Sequence, residues 1–236
     1  MTKTRELATN RKHRPARARG PGRPPRIDVA SILAATIDMS LPDLTLTSVA
    51  KRLGVSTQAL YRYFPDREAL INAVIEKLLE HYPLPKDQEE DWCVWAYRWG
   101  TALYKFYKAL PGLAERVNAG TPNKPAVLTR FETSIRIARD SGFDELHALW
   151  ATQALTEFVH TWVARDQKRT KTAMLSGMTY RESLRAIVDV RKHIDLPLFS
   201  AALENTAEIS EDVRFDYTLR CFLKGLSATR TGDASA

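Results

Sequence analysis

Between Thr45 and Arg67 the chain carries side chains suited to reading a hydrogen-bonding surface rather than to breaking a bond. Gln58 and Arg62 end in planar groups that pair with two atoms at once, the amide with adenine and the guanidinium with guanine. Thr57 lies with them on the early, outward side of one short helix, and Ser56 and Ala59 complete the set that faces DNA. Tyr61 and Tyr63 offer hydroxyls to phosphate and sugar, as do Thr45, Thr47 and Arg67 near helix N-termini. Covalent chemistry finds no such support, because the chain has no nucleophile elbow, P-loop or dinucleotide fingerprint. Glu157-x-x-His160 occurs once where a di-iron bundle needs it twice, and His13, His81, His147 and His193 stand at no metal-ligand spacing. No enzyme, no metal and no cofactor is expected.

Those side chains need a rigid mount, and the spacing supplies one. Val49, Ala50 and Leu53 give the apolar face of a short helix capped by Thr45. Gly54 can take the left-handed conformation that stops it, and Ser56 is placed to cap the next, which runs through Leu60 to about Phe64. Two short helices held at a steep angle form a helix-turn-helix, whose second helix can enter a major groove. Val55, Ala50, Leu60 and Phe64 read as its core. Before it, Asp28 caps a helix expected from about Val29 to Ser40. After it, Asp66 starts a longer helix that Pro83 and Pro85 end.

Charge separates an arm from a body. Residues 1–26 hold nine Lys and Arg against Glu6 alone, a charge of +8, so of the whole chain's +7 the other 210 residues carry −1. Residues 27–82 hold five cations and seven acids, a charge of −2. With four prolines and little to bury, residues 1–26 are expected to be a disordered basic arm that attracts nucleic acid. Its Pro21-Gly22-Arg23-Pro24-Pro25-Arg26 resembles the core of AT-hook arms, in which arginine reaches the minor-groove floor, a role for Arg23 and Arg26. A solvated leader without that role is the plainer reading of the same composition. No apolar run approaches about 20 residues and the start has no secretory signal, so no membrane partner and a cytoplasmic place are expected. Cys93 and Cys221 read as buried free thiols.

From Glu89 onward the pattern is long amphipathic helices with no period-two strand. Helices are expected at about Glu89–Leu110, Leu113–Asn118, Pro125–Asp140, Asp144–Asp166, Arg181–His193, Leu198–Glu208 and Ser210–Thr229, with 167–180 as loop. The expected fold is all-α: the basic arm (1–26), a three-helix DNA-binding domain with its linking helix (27–82), and a helical ligand-binding and dimerisation domain (83–236).

Thr45-x-x-x-Val49-Ala50-x-x-Leu53-Gly54-Val55-Ser56, followed by Leu60-Tyr61-x-Tyr63-Phe64-x-x-Arg67-x-x-Leu70, resembles the DNA-binding module of the TetR family of transcriptional regulators. Arg116-Val117-Asn118-Ala119-Gly120-Thr121-Pro122, Asp140-Ser141-Gly142-Phe143 and Glu157-Phe158-Val159 resemble the C-terminal domain of the tetracycline repressor branch. The resemblance implies a homodimer joined through the eighth and last helices, a palindromic operator in double-stranded DNA, and a small-molecule effector that releases a repressor. A regulator with no effector is the alternative. Pro83 and Asn118 stand where that branch places histidines, and neither supplies an imidazole to a metal.

The helix after Glu89 has two apolar stripes. Both suit ordinary core, and one suits a pocket wall: Tyr97, Gly100, Tyr104 and Tyr107, with Gly100 leaving room and the tyrosines bringing hydroxyls. Phe131, Ser134, Ile135 and Trp150 are expected to face it, with Asn118, Thr121, Gln153 and Glu157 as polar anchors for an aromatic or polycyclic effector. On the last helix Phe215, Leu219, Phe222 and Leu226 form a stripe that suits either a dimer interface or core. Because the module itself is acidic, deleting residues 1–24 is expected to weaken DNA binding and flatten its salt dependence. Binding titrations over a series of salt concentrations test this, and an unchanged slope refutes the arm's role.

Overall fold

The computed structural model describes residues 27–119, 125–190, 194–205 and 209–230, so the arm with Arg23 and Arg26, and Thr121, lie outside the described residues. Among the described residues there are eleven helices and no strand. The helix-turn-helix module comprises α1 (Val29–Ala34), α2 (Leu46–Leu53), α3 (Thr57–Leu60) and the linking helix α4 (Arg67–His81). Side-chain caps start three of them. Asp28 and Ser31 cap one another's backbone at α1, Thr45 and Ser48 do the same at α2, and Asp66 accepts from the Ala69 N–H at 2.7 Å at α4.

Two helices are shorter than expected. The Thr36 hydroxyl donates to the Leu33 carbonyl at 2.7 Å, backbone bonds tighten to three-residue spacing, and Asp38 turns left-handed, which ends α1 well before Ser40. At α3 the regular helix ends at Leu60 and the hydrogen-bonded turn continues to Phe64, where Pro65 disfavours helical backbone at the residue before it. Ser56 precedes α3 without a side-chain cap bond, contrary to expectation. Gly54 ends α2 at φ +68°, as its position required.

The body comprises α5 (Trp92–Ala109), α6 (Leu113–Asn118), α7 (Pro125–Asp140), α8 (Glu145–Ser176), α9 (Tyr180–Val190), α10 (Pro197–Asn205) and α11 (Glu211–Ser227). Helix α5 lies at its centre with Trp92, Trp95, Ala96 and Trp99 buried, packed on α8 and α11, while α6 and α7 pack on α8. The Trp95 indole donates to the Pro85 carbonyl at 3.0 Å and so fixes the linker from α4. Residues 167–176, expected as loop, continue α8 to a left-handed Gly177. Their apolar period fails because the segment is largely exposed, yet Gln, Lys, Arg, Ala, Met and Leu are good helix formers, so a helix already nucleated propagates.

Module and body meet at the α5–α6 turn. The Leu41 N–H donates to the Pro111 carbonyl at 2.7 Å. Gly112 follows at φ +93°, and a Cβ there would lie 3.1 Å from both Leu41 Cβ and Pro42 Cδ. Neither neighbour is the free end of a flexible side chain. Gly112→Ala is therefore expected to lower the unfolding free energy by about 1–3 kcal/mol, read from the midpoint of chemical denaturation.

Candidate nucleic-acid interface and ligand-binding body

The interface is built outward from Leu60, which is fully buried and anchors α3 against the core of the module. With that side chain inside, Gln58, Tyr61 and Arg62 project to solvent, Tyr61 with about half of its surface exposed. Ser56 and Thr47 are exposed as well, while Thr57 and Ala59 are half-buried. Thr45 already spends its hydroxyl on the α2 cap, accepting from the Ser48 N–H at 3.0 Å. Two residues expected at phosphates are engaged within the chain. Arg67 turns inward and donates to the carbonyls of Leu44 (2.9 Å) and Leu41 (2.6 Å). The Tyr63 hydroxyl donates to the Ile27 carbonyl at 2.6 Å, which places the residue after the arm beside the recognition helix.

Helix α4 is held to the body at both ends by groups that no local motif announces. At its first turn Glu68 receives the forked guanidinium of Arg116 from α6, with one contact at 3.2 Å, and this bonding holds the Glu68 carboxyl below its ordinary range. At its last turn Arg130 from α7 donates to the carbonyls of Leu79 (3.0 Å) and Tyr82 (3.1 Å). These carbonyls have no intrahelical partner, and a cation suits that end of the helix dipole. Burial lowers the Arg130 pKa.

The expected effector wall is arranged differently. A Cβ on Gly100 would lie 3.1 Å from both Leu219 methyls and 3.2 Å from a Leu155 methyl, so the glycine admits α11 and α8 rather than leaving space. The Tyr97 hydroxyl donates to Asp216 and accepts from Arg220 at 2.8 Å. Tyr104 donates to Asp212 at 2.6 Å and stacks on Phe215 with ring centroids 3.9 Å apart. Burial first, and the bond to Asp212 second, push the Tyr104 hydroxyl up to about 12. Both tyrosines therefore tie α5 to α11. Tyr107 alone turns to α8, buried and with its hydroxyl also raised to about 12 by burial, its ring centroid 6.1 Å from that of His160. His160 Nδ1 is buried without a partner, and burial lowers the imidazole pKa.

The remaining expected positions do not converge. Ser134 is buried and shares a hydrogen bond with the Thr152 hydroxyl at 2.9 Å, and Phe131 and Ile135 are half-buried. Trp150 is 52% exposed beside His147, so it does not face an interior chamber. Gln153, Glu157 and Asn118 are exposed. A groove of about 470 Å³ runs along Thr101, Tyr104, Lys105, Lys108, Asp212 and Phe215 and takes in only Tyr104 of the expected wall. Lys108 and Asp212, joined at 2.8 Å across α5 and α11, escaped sequence reasoning because they are 104 residues apart. Phe215 and Leu219 of the last helix are buried within their own chain, whereas Val213 and Tyr217 face outward. Among the described residues no three His, Cys, Asp or Glu side chains gather as metal ligands, and no helix is long and apolar enough to cross a membrane.

Comparison with known proteins bears on both parts. Residues 41–74 match the family model for bacterial regulatory proteins of the tetR family, and residues 84–230 match that for the tetracyclin repressor-like C-terminal domain. The chain is 31% identical over 153 residues to the class G tetracycline repressor protein of Vibrio anguillarum, covering 60% of this chain and 70% of that one. It is 26% identical to the class C protein of Escherichia coli over 82% of this chain and 85% of that one. Two solved structures share the fold: TetR from Acinetobacter baumannii AYE (TM-score 0.64, 22% identity, covering 87% and 99%) and ActR of Streptomyces coelicolor in complex with actinorhodin (TM-score 0.64, 20% identity, covering 88% and 96%). With one model matched across the helix-turn-helix and the other across more than half of the chain, this protein belongs to the tetR family of bacterial regulatory proteins.

Proposed function

We propose that the protein is a ligand-responsive transcriptional repressor that binds a palindromic operator as a homodimer and is released by a small, largely apolar effector. The observation that carries the reading is the exposed Gln58, Tyr61 and Arg62 face, mounted on a helix whose opposite side is locked by Leu60. Relatives that carry the name tetracycline repressor support the sign of regulation, and the neighbour solved with actinorhodin supports an aromatic or polycyclic effector. Leu146, Leu149 and Trp150 on α8, and Val213 and Tyr217 on α11, are exposed apolar side chains that a second copy would cover. Two recognition helices would then meet half-sites one helical turn or a multiple apart. The closed packing at Gly100 favours, on that point, a second reading: a DNA-binding regulator without an effector.

An effector acts here only by preferring a body conformation in which the recognition helices are wrongly spaced. A hundredfold release requires about 2.7 kcal/mol of coupling, within the usual range. The anchors of Glu68, Leu79 and Tyr82 on α6 and α7 supply a route by which the body can tilt α4.

Two measurements test the reading. On duplexes selected by the wild-type protein from a random library, Gln58→Ala and Arg62→Ala are each expected to cost about 1–3 kcal/mol and to relax preference at one position per half-site; unchanged preference removes α3 as the reading helix. With compounds that release the selected duplex, the loss of operator affinity and the loss of compound affinity on adding operator must be the same factor. A compound that binds the body yet leaves operator affinity unchanged, its own affinity being indifferent to operator, supports the second reading.

A further inference from the structure

Helix α5 ends at a proline, and this leaves backbone groups without partners. The Tyr107 carbonyl would ordinarily accept from the N–H four residues on, but that residue is Pro111, which has none. The Gly112 N–H stands at the N-terminus of α6, where no helical carbonyl reaches it. One side chain answers both. Gln167 of α8 accepts from the Gly112 N–H through Oε1 at 3.0 Å and donates through Nε2 to the Tyr107 carbonyl at 3.4 Å. This side-chain amide bridges the break between α5 and α6, and it lies in the segment of α8 beyond Asp166.

The turn so held is the one on which the DNA-binding module rests. Its Pro111 carbonyl receives the Leu41 N–H at 2.7 Å, and the Leu41 carbonyl receives Arg67 at 2.6 Å. Arg67 is the first residue of α4 and also holds the Leu44 carbonyl, next to the cap of α2. Partly buried hydrogen bonds therefore run from α8 through the α5–α6 turn and the Leu41 peptide to both helices that flank α3. The other tie at this end, Arg116 with Glu68, is partly exposed and correspondingly weak.

We infer that Gln167 is a positioning residue: through the α5–α6 turn it fixes the orientation of the DNA-binding module on the body and so sets the half-site spacing that the dimer accepts. The inference rests on the proposed DNA-binding dimer for its consequence and on the geometry of the turn for its cause.

The test uses the full chain and two variants, Gln167→Met, which fills similar volume without hydrogen bonds, and Gln167→Glu, which keeps an acceptor for the Gly112 N–H. Amide exchange at Leu41 is followed together with affinity for the selected duplex and for the same duplex with one base pair added between half-sites. In Gln167→Met, exchange at Leu41 is expected to rise about tenfold and preference for the selected spacing to fall by about the same factor, with Gln167→Glu, which keeps the Gly112 bond but loses the donor to the Tyr107 carbonyl, recovering part of both. Core amides of α5 and α8 should exchange as in the wild type. Leu41 protection unchanged in Gln167→Met, exchange raised equally across the core, or spacing preference unchanged despite a freed Leu41 would each overturn the inference. A wild-type protein that selects no DNA would instead overturn the proposed function, and unchanged Leu41 exchange in the variant would separately refute the joint.

Discussion

Helix α5 is apolar on nearly every side, and burying its three tryptophans within one chain obliges α8 and α11 to close around it. The contact that permits this is Gly100, where the methyls of Leu219 and Leu155 come to the distance that a Cβ would contest. Apolar burial supplies the driving force, at about 25 cal/mol per Å² removed from water. Once α5 is enclosed, the hydroxyls of Tyr97 and Tyr104 donate to the acids of α11, Asp216 and Asp212, and accept from Arg220 and Lys108. The tyrosines that looked like the wall of a chamber are thus the seam between two helices, and the groove beside Tyr104 opens on the outer side of that seam.

The same enclosure decides how the reading head is carried. Because α5 stops at Pro111, its end must turn sharply, and the turn becomes the ledge on which Leu41 sits. Helix α4 crosses from module to body with its first turn paired to α6 and its last carbonyls bonded to α7. The DNA-binding module, with its own core of Ile32, Leu44, Val49, Leu60, Leu70 and Ile71, thereby takes its attitude from a larger body. Charge is also divided: residues 27–82 carry −2 and residues 1–26 carry +8, while Gln58 and Arg62 stay exposed on the module.

Features set within four residues were legible in advance. The caps at Asp28, Thr45 and Asp66, the left-handed stop at Gly54, the helices Leu113–Asn118 and Pro125–Asp140, and the helix-turn-helix itself follow from local hydrogen bonding and apolar period. Where local rules competed, the reading slipped. Thr36 turned its hydroxyl on the backbone and shortened α1, and good helix formers carried α8 ten residues past its last apolar period.

What the sequence determined by itself was the all-α class and the family, and it named candidate side chains for DNA, because each depends on spacing along one or two helices. Tertiary structure decided which of those side chains remain free. Arg67 was drawn to carbonyls 23 and 26 residues away, Tyr63 to one 36 away, and Tyr97 and Tyr104 to acids more than a hundred residues away. It also brought Gln167 to the end of α5, 55 residues from Gly112. A buried polar group takes whichever partner packing puts within about 3 Å, and packing is a property of the assembled core that no window of sequence contains.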